Sequence, residues 1–266
     1  MDGEKTDKVL ITVRKQILRS RVCMNNLFHM ISENLFRTPK VSVTKFGGQQ
    51  EENFNRQAGD DNEETQILLE EQWPDLQIVY ELLLRVIILK DFSSQTSAQN
   101  YINMNFVGYL LDLFRSPDPR ERDYLKTVVH RVYSKFMPIR FAIRMSIVRE
   151  LIMETAKESV EAANQDRCFG IAEYLDILFS IIDGFNTPLK PEHEQIYEQC
   201  LLPLHRHQNL KQFRQQLIKA ISKFIMKDES LADRAILSCF KYWPKVDPHK
   251  EVGSLMELDS ILKLIR

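Results

Sequence analysis

Residues Leu125 to Glu150 read LKTVVHRVYSKFMPIRFAIRMSIVRE. Val128, Val132 and Phe136 recur every four residues ahead of Pro138, and Ile139, Ile143, Ile147 and Leu151 recur every four residues after it. A recurrence of this period is the buried stripe of an α-helix. Pro138 separates the two stripes, because its ring removes a donor and clashes with the preceding turn. The stretch therefore predicts two helices with a proline between them. It also carries six Lys or Arg between Lys126 and Arg149 and no Asp or Glu, in a 266-residue chain with 36 basic and 37 acidic residues. Arg131 and Lys135 form an i,i+4 pair beside the first stripe, flanked by His130 and Tyr133. Arg140 and Arg144 form a second such pair beside the other.

The same period extends outward in both directions. Helices are expected at about 8–20, 23–37, 66–90, 96–116, 119–136, 139–158, 168–184, 189–203, 209–227, 229–242 and 253–265. Glycine is scarce, with eight in all, Asn-Gly hairpin signals are absent, and the Asp183-Gly184 pair falls inside an apolar helical run. Pro74 and Pro117 lie 43 residues apart, and Pro203 and Pro244 lie 41 apart. A spacing near 40 with helix pairs between suits stacked repeats of the HEAT or armadillo type. The expected fold is all-α, a single solenoid of stacked antiparallel helix pairs over 1–266. Segment 38–65 breaks the period. It is polar, and from Glu51 to Asp75 nine acidic residues face one Arg, so a mobile acidic loop is expected there.

Composition excludes several classes. A pI near 6.6 gives no global attraction to nucleic acid or to an anionic membrane, so an electrostatic partner must meet a local patch. Cys23, Cys168, Cys200 and Cys239 form no CxxC pair and read as reduced thiols of an intracellular protein. The start has no apolar signal core, and no run of about 18 apolar residues would span a membrane. No Gly-rich phosphate loop and no HExxH occurs, so no enzyme activity and no cofactor is expected. His205 and His207 follow Cys200 at a spacing that matches no metal motif, and no metal site is expected. Asp118, Glu121 and Asp123 read as carboxylates at a helix N-terminus beside Arg120 and Arg122, not as an acid/base pair. The basic run holds few interleaved aromatics, which argues against nucleic acid.

The segment GIAEYLDILFSIIDGF, Gly170 to Phe185, adds an apolar element. Beside its main stripe, Ile177 and Ile181 make a second strip at i,i+4. Such a strip is either covered by a neighbouring helix or open to a ligand, and the basic run is either a solvated face or a site for an anion or acidic peptide.

Six runs carry a resemblance: NLFR (34–37), EEQWPDLQIVYELLLR (70–85), SPDPRERDYLKTVVHRVYSKF (116–136), GIAEYLDILFSIIDGF (170–185), PLKPEHEQIYEQCLLPLHR (188–206) and KYWPKVDPHKEV (241–252). In this order they resemble the B-prime (56 kDa) regulatory subunits of protein phosphatase 2A, which are HEAT-like solenoids, in a shortened form. The resemblance implies a non-catalytic regulator, cytoplasmic or nuclear, whose partners are the phosphatase scaffold and catalytic subunits. It also implies a concave groove for acidic or phosphorylated Leu-x-x-Ile-x-Glu peptides. The groove positions it carries over are His130, Arg131, Tyr133, Arg140, Arg144, Ile177, Ile181, Lys190 and His193. The family's solenoid runs on past LMELDSILKLIR, so a peptide-binding adaptor that does not assemble with the phosphatase is the alternative. Neither nucleic acid nor membrane is an expected partner.

Overall fold

The computed structural model describes residues 20–37, 41–44, 67–92, 97–157, 169–245 and 248–265. The helix expected at 8–20 and most of the acidic segment lie outside them. Ten α-helices are described: α1 (Arg21–Leu35), α2 (Trp73–Ile88), α3 (Met104–Asp112), α4 (Pro119–Lys135), α5 (Arg140–Lys157), α6 (Ile171–Asp183), α7 (Pro191–Ile196), α8 (Leu210–Ile225), α9 (Ala232–Lys241) and α10 (Pro248–Leu262). Among the described residues no helix is long and apolar enough to cross a membrane.

The sequence states where these helices start. Asn103 accepts the Phe106 N–H at 2.9 Å, and Asp118 accepts the Arg120 N–H at 2.8 Å. Each side chain satisfies a donor that the first helical turn leaves without a partner. Pro119 follows Asp118 at the first helical position, where no donor is needed. Gly170 precedes α6 at φ 88°, and a Cβ there would lie 2.7 Å from the Phe114 carbonyl oxygen. Only glycine fits that junction.

The helices stack in two layers. In one, α2 packs on α4, α4 on α6, α6 on α8 and α8 on α10. In the other, α3 packs on α5, α5 on the extension of α7, and that extension on α9. Each helix thus meets the one two places along, which is the solenoid expected from the period. Tyr80, Phe114, Phe136, Tyr197, Phe213 and Phe224 fill the space between the layers and are fully buried.

Three details differ from the sequence reading. Val41–Thr44 (β1) and Ile67–Glu70 (β2) pair antiparallel, so the expected loop contains a strand and the helix expected from 66 starts at Trp73. The helix expected over 96–116 is a 3-10 turn (Ser97–Asn100), α3 and a second 3-10 turn (Leu113–Arg115). The helix expected over 189–203 is α7, then a π-helical turn (Tyr197–Leu201) and a 3-10 segment (Leu202–Arg206). Pro203 explains the last change. It cannot donate to the carbonyl four residues back, and the Leu202 N–H reaches Tyr197, five residues back.

A buried polar knot ties β2 to the stack. Glu121 accepts bonds from Tyr80 (2.9 Å) and Ser116 (2.6 Å) and lies 3.4 Å from Arg37, which also pairs with Glu70. Asp118 accepts the Glu70 N–H at 2.9 Å and pairs with Arg120. Burial opposes ionisation of Asp118, but its Arg120 and backbone bonds win and hold its pKa below the usual aspartate value. These acids therefore cap and tether α4, as its sequence implies.

Candidate functional site: a basic cluster across α4, α5 and α7

The acid-free run divides into two kinds of residue. Lys135 donates to the carbonyls of Ile87 and Leu89 at the end of α2. Arg140 donates from Nε to the Tyr133 carbonyl and from Nη2 to the Ser134 carbonyl, both at 2.7 Å, at the end of α4. Its guanidinium also lies 5.4 Å from the Tyr133 ring centre. The last carbonyls of a helix lack intrahelical donors and carry partial negative charge, so cations belong there. Lys126 pairs with Asp123 and Asp176. His130 and Arg131 are different: both are exposed, and among the described residues their side chains make no hydrogen bond or ion pair.

Arg144 and His193 meet around Phe185. The His193 ring stacks flat on Phe185 at 3.7 Å between centres, and the Arg144 guanidinium lies 5.7 Å from the same ring. One Glu192 oxygen stands 3.5 Å from both Arg144 Nη2 and His193 Nε2. Arg144 Nε and His193 Nδ1 are buried and have no hydrogen-bond partner among the described residues. Burial, helped by the charge of Arg144, pulls the His193 pKa below the ordinary histidine value. Lys190 is exposed at the cap of α7, where Pro191 opens the helix and places His193 one turn in.

Ile177 and Ile181 do not form an open strip. They are only 1% and 3% exposed, because α6 is flanked by α4, α5 and α8. Tyr133 is half-buried against the same core. The exposed apolar strip beside the cations lies on and just before α5 instead, at Met137, Phe141 and Met145, with the Arg144 guanidinium 5.5 Å from the Phe141 ring centre.

A second polar cluster escaped the sequence reading. His205, read there as incidental, donates from Nδ1 to the Leu202 carbonyl at 2.8 Å. Its Nε2 lies 2.7 Å from Glu257 and 3.9 Å from the Cys239 sulfur. Burial opposes protonation of His205, but the bonds to Cys239 and Glu257 and the charge of Glu257 raise its pKa to about 10. The three residues come from separate elements 34 and 52 positions apart along the chain, so no local spacing announces them.

Residues 9–266 match the family model described as protein phosphatase 2A regulatory B subunit (B56 family). The chain is 41% identical over 241 residues to the B' epsilon isoform of the 57 kDa regulatory subunit of serine/threonine protein phosphatase 2A from Arabidopsis thaliana, covering 90% of this chain and 45% of that one. It is 42% identical over 239 residues to the delta isoform of the 56 kDa regulatory subunit from Homo sapiens, covering 89% and 36%. Against the 55 kDa B' delta isoform of Arabidopsis thaliana it is 43% identical over 237 residues, covering 88% and 46%. The chain thus spans less than half the length of these relatives. A match over nearly all of the chain, with its two-layered helical stack, makes it a member of the B56 family of protein phosphatase 2A regulatory B subunits.

Proposed function

We propose that this protein is a non-catalytic, substrate-selecting subunit of protein phosphatase 2A, which holds acidic Leu-x-x-Ile-x-Glu peptides on the cluster between α4, α5 and α7. The observation that supports this most directly is the pair of buried, unpartnered nitrogens, Arg144 Nε and His193 Nδ1, beside an exposed Glu192. Buried polar atoms normally have partners, and a missing partner points to a ligand. Glu192 is a carboxylate already seated between the Arg144 guanidinium and the His193 ring, so it stands in for the acidic group of a peptide. Arg131 and Lys190 extend positive charge across the exposed surface, and Arg140 keeps donors beyond the two it gives to α4. Guanidinium suits this role because its planar fork pairs with carboxylate or phosphate. Ile177 and Ile181 belong to the core against which Tyr133 is half-buried, and apolar peptide side chains settle over Tyr133 and the Met137–Phe141 strip.

Two measurements test the reading. The chain is mixed with the scaffold–catalytic heterodimer and run on size-exclusion chromatography, and its affinity for a fluorescent Leu-x-x-Ile-x-Glu peptide is read by polarisation. Co-elution with peptide binding supports the proposal. Peptide binding by a chain that elutes alone leaves an adaptor without the phosphatase. Absence of peptide binding in a folded chain removes the groove assignment.

A further inference from the structure

We infer that His205, Cys239 and Glu257 form a binding site for a divalent transition metal ion, of which zinc is the best match. The inference is independent of the peptide cluster and of the phosphatase role.

The geometry carries it. One ligand atom from each residue lies within 4.8 Å of the other two, and all three residues are buried. Tetrahedral zinc with bonds of about 2.0–2.3 Å holds its ligand atoms about 3.3–3.6 Å apart. The His205–Glu257 separation of 2.7 Å must therefore open by about half an ångström and the longest separation close by about one. Side-chain rotation covers both. The set of one imidazole, one thiolate and one carboxylate suits zinc and its neighbours; calcium and magnesium want oxygen alone.

The surroundings are prepared in the way metal sites usually are. The His205 Nδ1–H is fixed on the Leu202 carbonyl, so Nε2 is the atom aimed at Cys239 and Glu257. Such an outer bond sets the tautomer and direction of a metal-bound histidine. Glu257 is 1% exposed, and its Oε2 accepts no hydrogen bond, with Arg214 Nη1 3.9 Å away. A buried carboxylate oxygen with no hydrogen bond has capacity left for a further partner. His205 and Cys239 also line a cavity of about 310 Å³, with Arg214, Trp243 and Ser254 among its walls. That cavity supplies an entry path and room for a water as fourth ligand.

Charge balances. With both ring nitrogens at acceptors, His205 carries two N–H protons. Binding one M²⁺ displaces the proton on Nε2 and the proton on Sγ, so two positive charges leave as two enter. The ion would join the 3-10 segment after α7 to α9 and α10, and its first effect is structural.

The test uses the intact chain and Co²⁺ as a spectroscopic probe, followed by Zn²⁺. The expected result is one equivalent of cobalt with a thiolate-to-cobalt charge-transfer band and the intense visible bands of a tetrahedral site, displaced by zinc. Zinc should also raise Tm. In Cys239→Ala, with its fold checked by circular dichroism, the band should vanish and affinity should fall roughly 100-fold or more. Exposed Cys23 serves as the control, and Cys23→Ala should leave the band unchanged. A chain that gives no thiolate–cobalt band, or a band that survives Cys239→Ala, overturns the assignment. So does a zinc-induced rise in Tm that is equal in the two proteins.

Discussion

Arg131 and Arg140 stand nine positions apart in one basic run, yet their surroundings separate them. Arg140 bonds two carbonyls at the end of α4, whereas the Arg131 side chain makes no hydrogen bond or ion pair among the described residues. Arg131→Ala should therefore leave the melting temperature within about a degree and weaken peptide binding roughly 10- to 100-fold, the cost of one charge-assisted bond. Polarisation on the folded variant checks this, and unchanged affinity removes Arg131 from the groove. Arg140→Ala should lose binding and also about 1–2 kcal/mol of stability, because it uncaps α4. His193 gives a pH signature. Its pKa is lowered in the fold, so below the ordinary histidine value of 6.5 the unfolded chain takes up a proton first. The stability due to His193 is thus present above that value and is lost as pH falls towards and through the folded pKa. Urea midpoints between pH 7.5 and 5.5 should drop less in His193→Gln than in the parent, while Arg144, Glu192 and Lys190 remain to set the field around the site.

Helix ends explain most of what the sequence showed and what it hid. The four-residue stripes marked α4, α5 and α6 because a one-sided core demands that period, and Asp118-Pro119 marked a start because a cap and a proline satisfy the same turn. The basic run was legible as charge but not as purpose. Lys135 finds the end of α2 some 48 residues earlier, and no local pattern encodes that meeting. Lys135→Met should consequently cost about 1–2 kcal/mol in chemical denaturation while leaving peptide affinity unchanged. An equal loss of affinity would place Lys135 in the site as well. The apolar strip at Ile177 and Ile181 stayed open between two readings for a related reason. Period alone cannot tell a second covered face from an open one, and α6 has neighbours on several sides. Strand β1 was missed because Val41 and Val43 sit in an otherwise polar stretch, and their partner strand directly precedes Trp73.

Taken across its length, the stack is held by contacts between a helix and the one two along, so damage should stay near its source. Gly170→Ala forces a Cβ onto the Phe114 carbonyl in a left-handed backbone position, at a cost on the order of 2–4 kcal/mol. Hydrogen exchange should show faster opening in α3, α4 and α6 and nearly unchanged protection in α9 and α10. A uniform loss in every helix would mean one cooperative unit instead. The same neighbour-only pattern has a consequence for how the protein is made. Among the described residues the longest side-chain hydrogen bonds, Arg37 to Glu121 and Tyr101 to Asn25, span 84 and 76 residues and lie at the amino-terminal end of the stack, while Tyr174 to Leu111 spans 63. No side-chain hydrogen bond among the described residues joins the two ends of the chain. Each helix pair can dock on the previous one as synthesis proceeds, so the array assembles in the direction of translation, with a short, moving front of exposed apolar surface.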